Sequence, residues 1–413
     1  MPTTEPFHPS GFQRHAEASR EALLHLAQAW IAIPSPACHE GDLAASVLEA
    51  LTQAGYDEVF QDEIGNVVGR IRGDGTGPSV LFLCPLDHAE PLHAEEWRYP
   101  PYAAQLTDEA LHGCGASQNK GALAAMLTAG RILKHERGGL RGDVIVAGVV
   151  QTQVFAHIGT RVLVDRTLPE RGIQFDLCVV GQPTGLNLAL GQRGRLEVEL
   201  TTVGRVCHAG APWLGSHAIL AMQPVLAAVQ ELASNLPSHP NLDRSTLAVT
   251  AIRSAPQAPQ LVPDRCTISL DRRYLPSEST DAALWQLQSI VNRIAQEDTA
   301  FTADLQVRRL TATSFTGVSQ DVACVAHPFL TDASHALIHR VARGLQEVGQ
   351  NPVQTYWRLP SDAAYVATMK RIVTLGYSPG DEKFAETPFE HVRLDRLIAA
   401  VSGYAAIGAA IAG

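Results

Sequence analysis

The sequence predicts an α/β protein: a mostly parallel sheet flanked by helices, interrupted by an inserted ferredoxin-like α+β lid domain. Short apolar runs such as Val80-Leu81-Phe82-Leu83 end in polar loops and alternate with helical patterns, as in a parallel sheet covered on both faces. From residue 194 these runs give way to alternating, half-exposed strands in the order β-α-β-β-α-β, which is the ferredoxin-like arrangement. The first pattern then resumes. Residues 1–193 and 313–413 are therefore expected to form the α/β domain, and 194–312 the lid.

In chain order, residues 16–33 carry apolar residues at helical spacing and stop at Pro34-Ser35-Pro36, where proline blocks continuation. A second amphipathic helix is expected over 41–54, closed by Gly55. Strands are expected at 66–71 and 79–83, a helix at 122–133, and buried strands at 144–150 and 177–180. The lid takes strand 195–203, helix 216–234, strands 246–252 and 266–271, helix 281–295 and strand 304–309. Helix 332–348, strand 371–375 and a last helix from Leu394 rejoin the first domain. In such sheets, sites gather beyond the C-terminal ends of the strands.

At 413 residues the chain suits two domains rather than one core. The net charge of −10 argues against nucleic acid or an anionic membrane as the main partner and says nothing about small substrates. Residues 1–15 lack the apolar core of a signal peptide, and no apolar stretch of membrane-span length is read, so the cytoplasm is expected. Seven cysteines form no CxxC pair and read as free thiols. The glycine-rich runs contain no Gly-x-x-x-x-Gly-Lys-Ser/Thr, which excludes that phosphate loop.

The most informative stretch runs from Leu81 to Lys120. A buried strand stops at Cys84-Pro85-Leu86-Asp87, and Gly113-Cys114-Gly115-Ala116-Ser117-Gln118-Asn119-Lys120-Gly121 turns into a helix. In wording and spacing it resembles the zinc-dependent amidohydrolase superfamily of aminoacylase, acetylornithine deacetylase, succinyl-diaminopimelate desuccinylase and carboxypeptidase G. The resemblance covers nearly the whole chain and implies a zinc-exopeptidase-like fold. In that family two zinc ions share a bridging carboxylate, each takes one His and one further acid, and a separate Glu is general base.

Carried across residue by residue, the family's His ligand falls on Pro85, its bridging Asp on Gln118, and its general base on Thr152. Further ligands fall on Gln153, in Gln151-Thr152-Gln153, on Gln182, in Gly181-Gln182-Pro183-Thr184, and on Glu386, in Ala385-Glu386-Thr387-Pro388-Phe389-Glu390. Amides at 118, 153 and 182 keep the shape and hydrogen bonding of carboxylates while deleting a charge that only metal makes tolerable. No metal and no cofactor is therefore expected. The substrate side is retained. His208, in Cys207-His208-Ala209-Gly210-Ala211-Pro212, matches the lid His that enters the partner subunit's site, which implies a homodimer through the lid. Arg273 matches a carboxylate-binding Arg, and Gln260 stands at the family's lid Asn.

The expected catalytic residues are thus His208, Glu386 and Asp87, with Arg273, Gln260, Gln118, Thr152, Gln153 and Gln182 contacting substrate. Plainer roles stand beside these: His208 as a surface histidine, Arg273 as a partner of Asp271, Asp87 as a loop cap, Glu386 paired with Lys383 or Arg393. Cys84, Cys114 and Cys207 lie in or beside the signature loops, where a thiol nucleophile is conceivable. Two functions follow. One is a metal-independent enzyme for acyl transfer or amide hydrolysis on an N-acyl amino acid or peptide-like substrate. The other is a non-catalytic pseudoenzyme that binds such a ligand or a protein partner.

Overall fold

The computed structural model describes residues 9–135, 139–154 and 157–413. The helical pattern over 16–33 divides into α1 (Pro9–Ala18) and α2 (Arg20–Ile31), with the break at Ser19. Both helices bury apolar faces in the same core (Phe12 and Ala16; Leu23, Ala27, Trp30 and Ile31), so the periodicity runs through the break. Next come α3 (Gly41–Gln53), β1 (Glu58–Gln61), β2 (Val67–Ile71), β3 (Val80–Pro85), α4 (Gly121–His135), β4 (Val144–Val149), β5 (Leu177–Val180) and β6 (Leu188–Gln192).

The lid follows as β7 (Gly194–Val203), α5 (Ala218–Ser234), β8 (Thr246–Ala255), β9 (Arg265–Tyr274), α6 (Thr280–Glu297) and β10 (Thr302–Val307). Its strands are antiparallel in the order β8-β9-β7-β10, with α5 and α6 on one face, as the β-α-β-β-α-β reading requires. Alternation along β7 sends Leu196, Val198 and Leu200 under the helices and leaves Arg195, Glu197 and Glu199 on the open face.

The chain returns through β11 (Phe329–Leu330), α7 (Ala336–Glu347), β12 (Gln354–Trp357), β13 (Val373–Gly376) and α8 (Leu394–Ala412). The large sheet runs β1-β2-β4-β3-β5-β13-β6-β11, with β12 parallel to β6. Its centre, β4-β3-β5-β13, is parallel; β1, β2, β6 and β11 add antiparallel pairings toward the edges. The central strands are buried on both faces and so were legible as unbroken apolar runs. Strands β1, β11 and β12 lack that pattern, and in β6, although it is buried throughout, Gly191 and Gln192 break the apolar run.

A hairpin unread in the sequence, Arg309–Thr313 with Ser319–Ala323, spans the expected boundary at 312. Its Ala312 and Val322 join the first domain's core. At its tip Phe315 packs on Gly41 and Gly65, where an added Cβ at Gly65 would lie 2.4 Å from the ring, and Thr316 Oγ1 donates to the Glu63 carbonyl at 2.7 Å. The final helix α8 corrects one reading: it is long and apolar enough to cross a membrane, yet it is a core helix packed against α1, α4 and α7.

Candidate functional site

The loops leaving the C-terminal ends of β3, β4, β5 and β13 converge, as a parallel sheet dictates. After β3, Asn119 Nδ2 donates to the carbonyls of Pro85 and Asp87, both at 2.9 Å, and ties this loop to the start of α4. Asp87 is fully buried. Its Oδ1 accepts from Thr152 N–H (3.0 Å) and Oγ1 (2.8 Å), and its Oδ2 from Gln153 N–H (2.7 Å). Asp87 therefore holds the loop after β4 and does not line the cleft, which corrects the expectation of a catalytic role. The Thr152 hydroxyl, committed to Asp87, offers no replacement base.

Behind this loop lies a second buried acid, Glu40, whose Oε1 accepts from Cys38 N–H (3.0 Å) and Gln151 N–H (2.9 Å). Burial raises both carboxyls, and Glu40 raises Asp87 further, to about 8. Three donors favour charge on Asp87, whereas Glu40 Oε2 has no partner, so the pair's proton belongs on Glu40.

The turn into α4 presents Gln118, with Gly115 in the left-handed region at φ 84°. Glu390 Oε1 accepts from Ser117 N–H (3.0 Å) and Gln118 N–H (2.8 Å), fixing that turn; burial pushes the Glu390 carboxyl up to about 7. The Gln118 side chain accepts from Ala89 N–H (3.4 Å) and donates through Nε2 to Glu386 Oε1 (2.9 Å). Burial raises the Glu386 carboxyl, offset in part by the Gln153 amide. Glu386 thus belongs to the cleft. Lys383 and Arg393 instead pair with Asp381 and Asp395.

Gln118, Thr152, Gln153, Gln182, Glu386 and Arg273 all line one cleft. Arg273 reaches it from the lid's open face, where its backbone stands opposite Arg195 in the β9–β7 register. Such a like-charge pair is tolerable because Asp271 lies between them, accepting from Arg273 Nε (2.6 Å) and Arg195 Nε (2.8 Å). Burial alone would raise the Asp271 carboxyl, but these bonds outweigh it and hold it low. Arg273 is thus both an ion-pair partner and a cleft residue.

His208 and Gln260 are not brought to this cleft. Both are exposed on the lid, where Ala209 N–H donates to the Gln260 carbonyl (2.8 Å) and Gly210 N–H to His208 Nδ1 (3.0 Å). The thiols of Cys84 and Cys114 are buried and pushed far up by burial, which removes them as nucleophiles.

Further cleft residues carry no signal in the sequence. His157, in the left-handed region at φ 53°, places Nδ1 2.7 Å from Asp362 Oδ1. Both are at least nine-tenths buried, and neither His157 Nε2 nor Asp362 Oδ2 has a hydrogen-bond partner. They lie 205 positions apart, so no local pattern announces the pair. Trp357 lines the same cleft, anchored by its indole N–H to the Pro183 carbonyl at 2.8 Å.

Residues 88–409 match the profile of peptidase family M20/M25/M40. The chain belongs to this family. Its relatives include YgeY of Escherichia coli (strain K12), 28% identical over 91% of each chain. Another is the succinyl-diaminopimelate desuccinylase of Methylorubrum extorquens, 27% identical over 86% of this chain and 90% of that one. Human carnosine dipeptidase 1 shares the fold with TM-score 0.75 at 14% identity, covering 98% of this chain and 99% of that one. Aminopeptidase PepT of Bacillus cereus gives 0.72 at 18%, covering 95% and 99%.

A dizinc centre of the M20 type does not fit the donors in this cleft. Pro85 offers no side-chain ligand, three ligand positions carry amides, and the one carboxylate at a ligand position, Glu386, is bonded to Gln118. Among the described residues, no three His, Cys, Asp or Glu side chains converge as a metal centre. The histidine nearest the lost one in sequence, His88, has both ring nitrogens engaged. Ser35 N–H donates to Nε2 (3.0 Å), which leaves Nδ1 to donate to the Ala89 carbonyl (2.8 Å). Burial, with Lys120 nearby, lowers His88 to about 4 and keeps it neutral.

Proposed function

We propose that this M20-family protein acts without zinc on an N-acyl amino acid or small peptide-like substrate, by amide hydrolysis or acyl transfer. The observation that carries the reading is the bond between Gln118 and Glu386. Side chains at two former ligand positions hydrogen-bond each other directly, and that contact leaves no carboxylate cage requiring a dication. Retention of Arg273 in the same cleft supports recognition of a carboxylate-bearing ligand through charge-assisted bonds.

His208 has a part only if it enters the cleft of a second copy, so this reading includes a homodimer through the lid. Support comes from the exposed apolar side chains around its loop, Val206, Trp213, Leu214 and Leu220, and from edge strand β8 with Ile252 57% exposed. Seven free thiols fit a reducing cytoplasm.

The second reading, a non-catalytic binder, is favoured by one observation: Thr152, at the family's base position, spends its hydroxyl on Asp87. A calorimetric screen of N-acyl amino acids in the presence of chelator separates the two. Turnover in chelator that falls with His208→Ala supports the enzyme. Arg273-dependent binding without turnover, alone or with an amine acceptor, supports the binder. No binding at all removes both.

A further inference from the structure

We infer that His157, oriented by Asp362, is the general base of this cleft. The inference rests on the amide-cleaving reading, but its residues occupy none of the family's ligand or base positions. A carboxylate 2.7 Å from Nδ1 fixes the proton on that nitrogen and leaves Nε2 as the acceptor. The imidazole lines the cleft beside Gln153 and Glu386. Nε2 has no partner although buried, and the backbone sits in the left-handed region. An unsatisfied buried acceptor and a strained backbone both cost stability, a combination concentrated at functional sites.

The chemistry balances without an added reagent. A water oxygen bonds to the substrate carbonyl carbon as its proton passes to His157 Nε2, and the carbonyl π pair moves onto oxygen. The tetrahedral species then collapses, the C–N bond breaks, and the imidazolium returns its proton to the leaving nitrogen. Asp362 holds Nδ1 through its hydrogen bond and acts through His157 as a positioning residue. With an amine as acceptor, the same proton transfers give acyl transfer.

The first test needs no variant and no known substrate. Diethyl pyrocarbonate is attacked at a carbonyl carbon by a neutral imidazole nitrogen, with ethyl carbonate leaving, and peptide mapping locates the product. His157 is expected to be carbethoxylated and to be protected by any ligand from the screen. An unmodified His157, under conditions where exposed His339 reacts, overturns the inference.

The rate of this labelling then tests Asp362. Besides Asp362, the imidazole is faced by His327 and the Tyr365 ring, with Arg195, Arg273 and Glu386 in the same cleft. Asp362→Asn, which no longer fixes the proton on Nδ1, should slow carbethoxylation of His157 several-fold; an unchanged rate overturns the positioning role.

Finally, His157→Gln should cut kcat on a turned-over hit by roughly a hundredfold or more, with ligand affinity retained. Unchanged kcat, or binding without turnover for every hit, also overturns it. If His157 labels and responds to Asp362→Asn while no N-acyl amino acid binds, the substrate class falls and the basic dyad stands.

Discussion

Gln118 Nε2 donates to Glu386 Oε1 across 2.9 Å, linking positions 268 residues apart. An amide beside a carboxylate satisfies it without adding charge. Gln118→Glu would set two carboxyls together, so one must hold a proton that the unfolded chain releases near pH 4. Stability should then fall as pH rises above that value, by an amount that solvent at the exposed Glu386 keeps small. Thermal unfolding at pH 5 and pH 8 measures it, and an equal loss at both would rule out repulsion as the cause.

Purified protein should hold well under one zinc per chain, and chelator should leave its melting temperature unchanged. The motive is the donor set, in which amides replace three acids and Glu386 is already bonded. Two tightly held zinc ions in elemental analysis would overturn the metal-independent reading.

Sedimentation at micromolar concentration should give a dimer. Ile252→Lys on the exposed edge strand should dissociate it, because a charge there disfavours pairing between chains. A wild-type monomer would remove His208 from the site.

Arg273→Ala should weaken binding of a carboxylate-bearing ligand by roughly ten- to a hundredfold, the equivalent of one charge-assisted contact worth about 1.5–3 kcal/mol. Calorimetry on a hit from the screen reads this directly. Unaltered affinity would leave Arg273 only its ion pair with Asp271.

The Glu40–Asp87 pair gives the fold a pH signature. Both carboxyls are raised, Asp87 to about 8, so the folded chain keeps a proton that the unfolded chain loses above about 4. That contribution is fully present at low pH and is lost as pH climbs toward 8. Glu40→Gln, which needs no proton, should flatten the decline and raise stability relative to wild type at pH 8. Parallel curves for the two proteins would place the proton elsewhere.

The central strands and the lid order were legible in the sequence because burial on two faces and alternation on one leave distinct patterns, as in β3 and β7. The loops around Gln118, Gln182 and Glu386 were located through their glycines and prolines. What those side chains touch was not legible. Asp87 lies within a matched loop, yet its engagement with Thr152 and Gln153 depends on how two strand ends pack. The approach of His157 to Asp362 depends on separate loops meeting, which no spacing along the chain encodes.

The hairpin between the lid and β11 carries a mechanical consequence. Phe315, seated over Gly41 and Gly65, pins the lid's exit to the first domain, so the lid is no free flap. A wide swing that unseats the half-buried ring would forfeit its packing on both glycines. Smaller rotations can use Phe315 as their fulcrum. The placement of Arg273 over the cleft is thereby tied, through the lid's exit, to one aromatic contact.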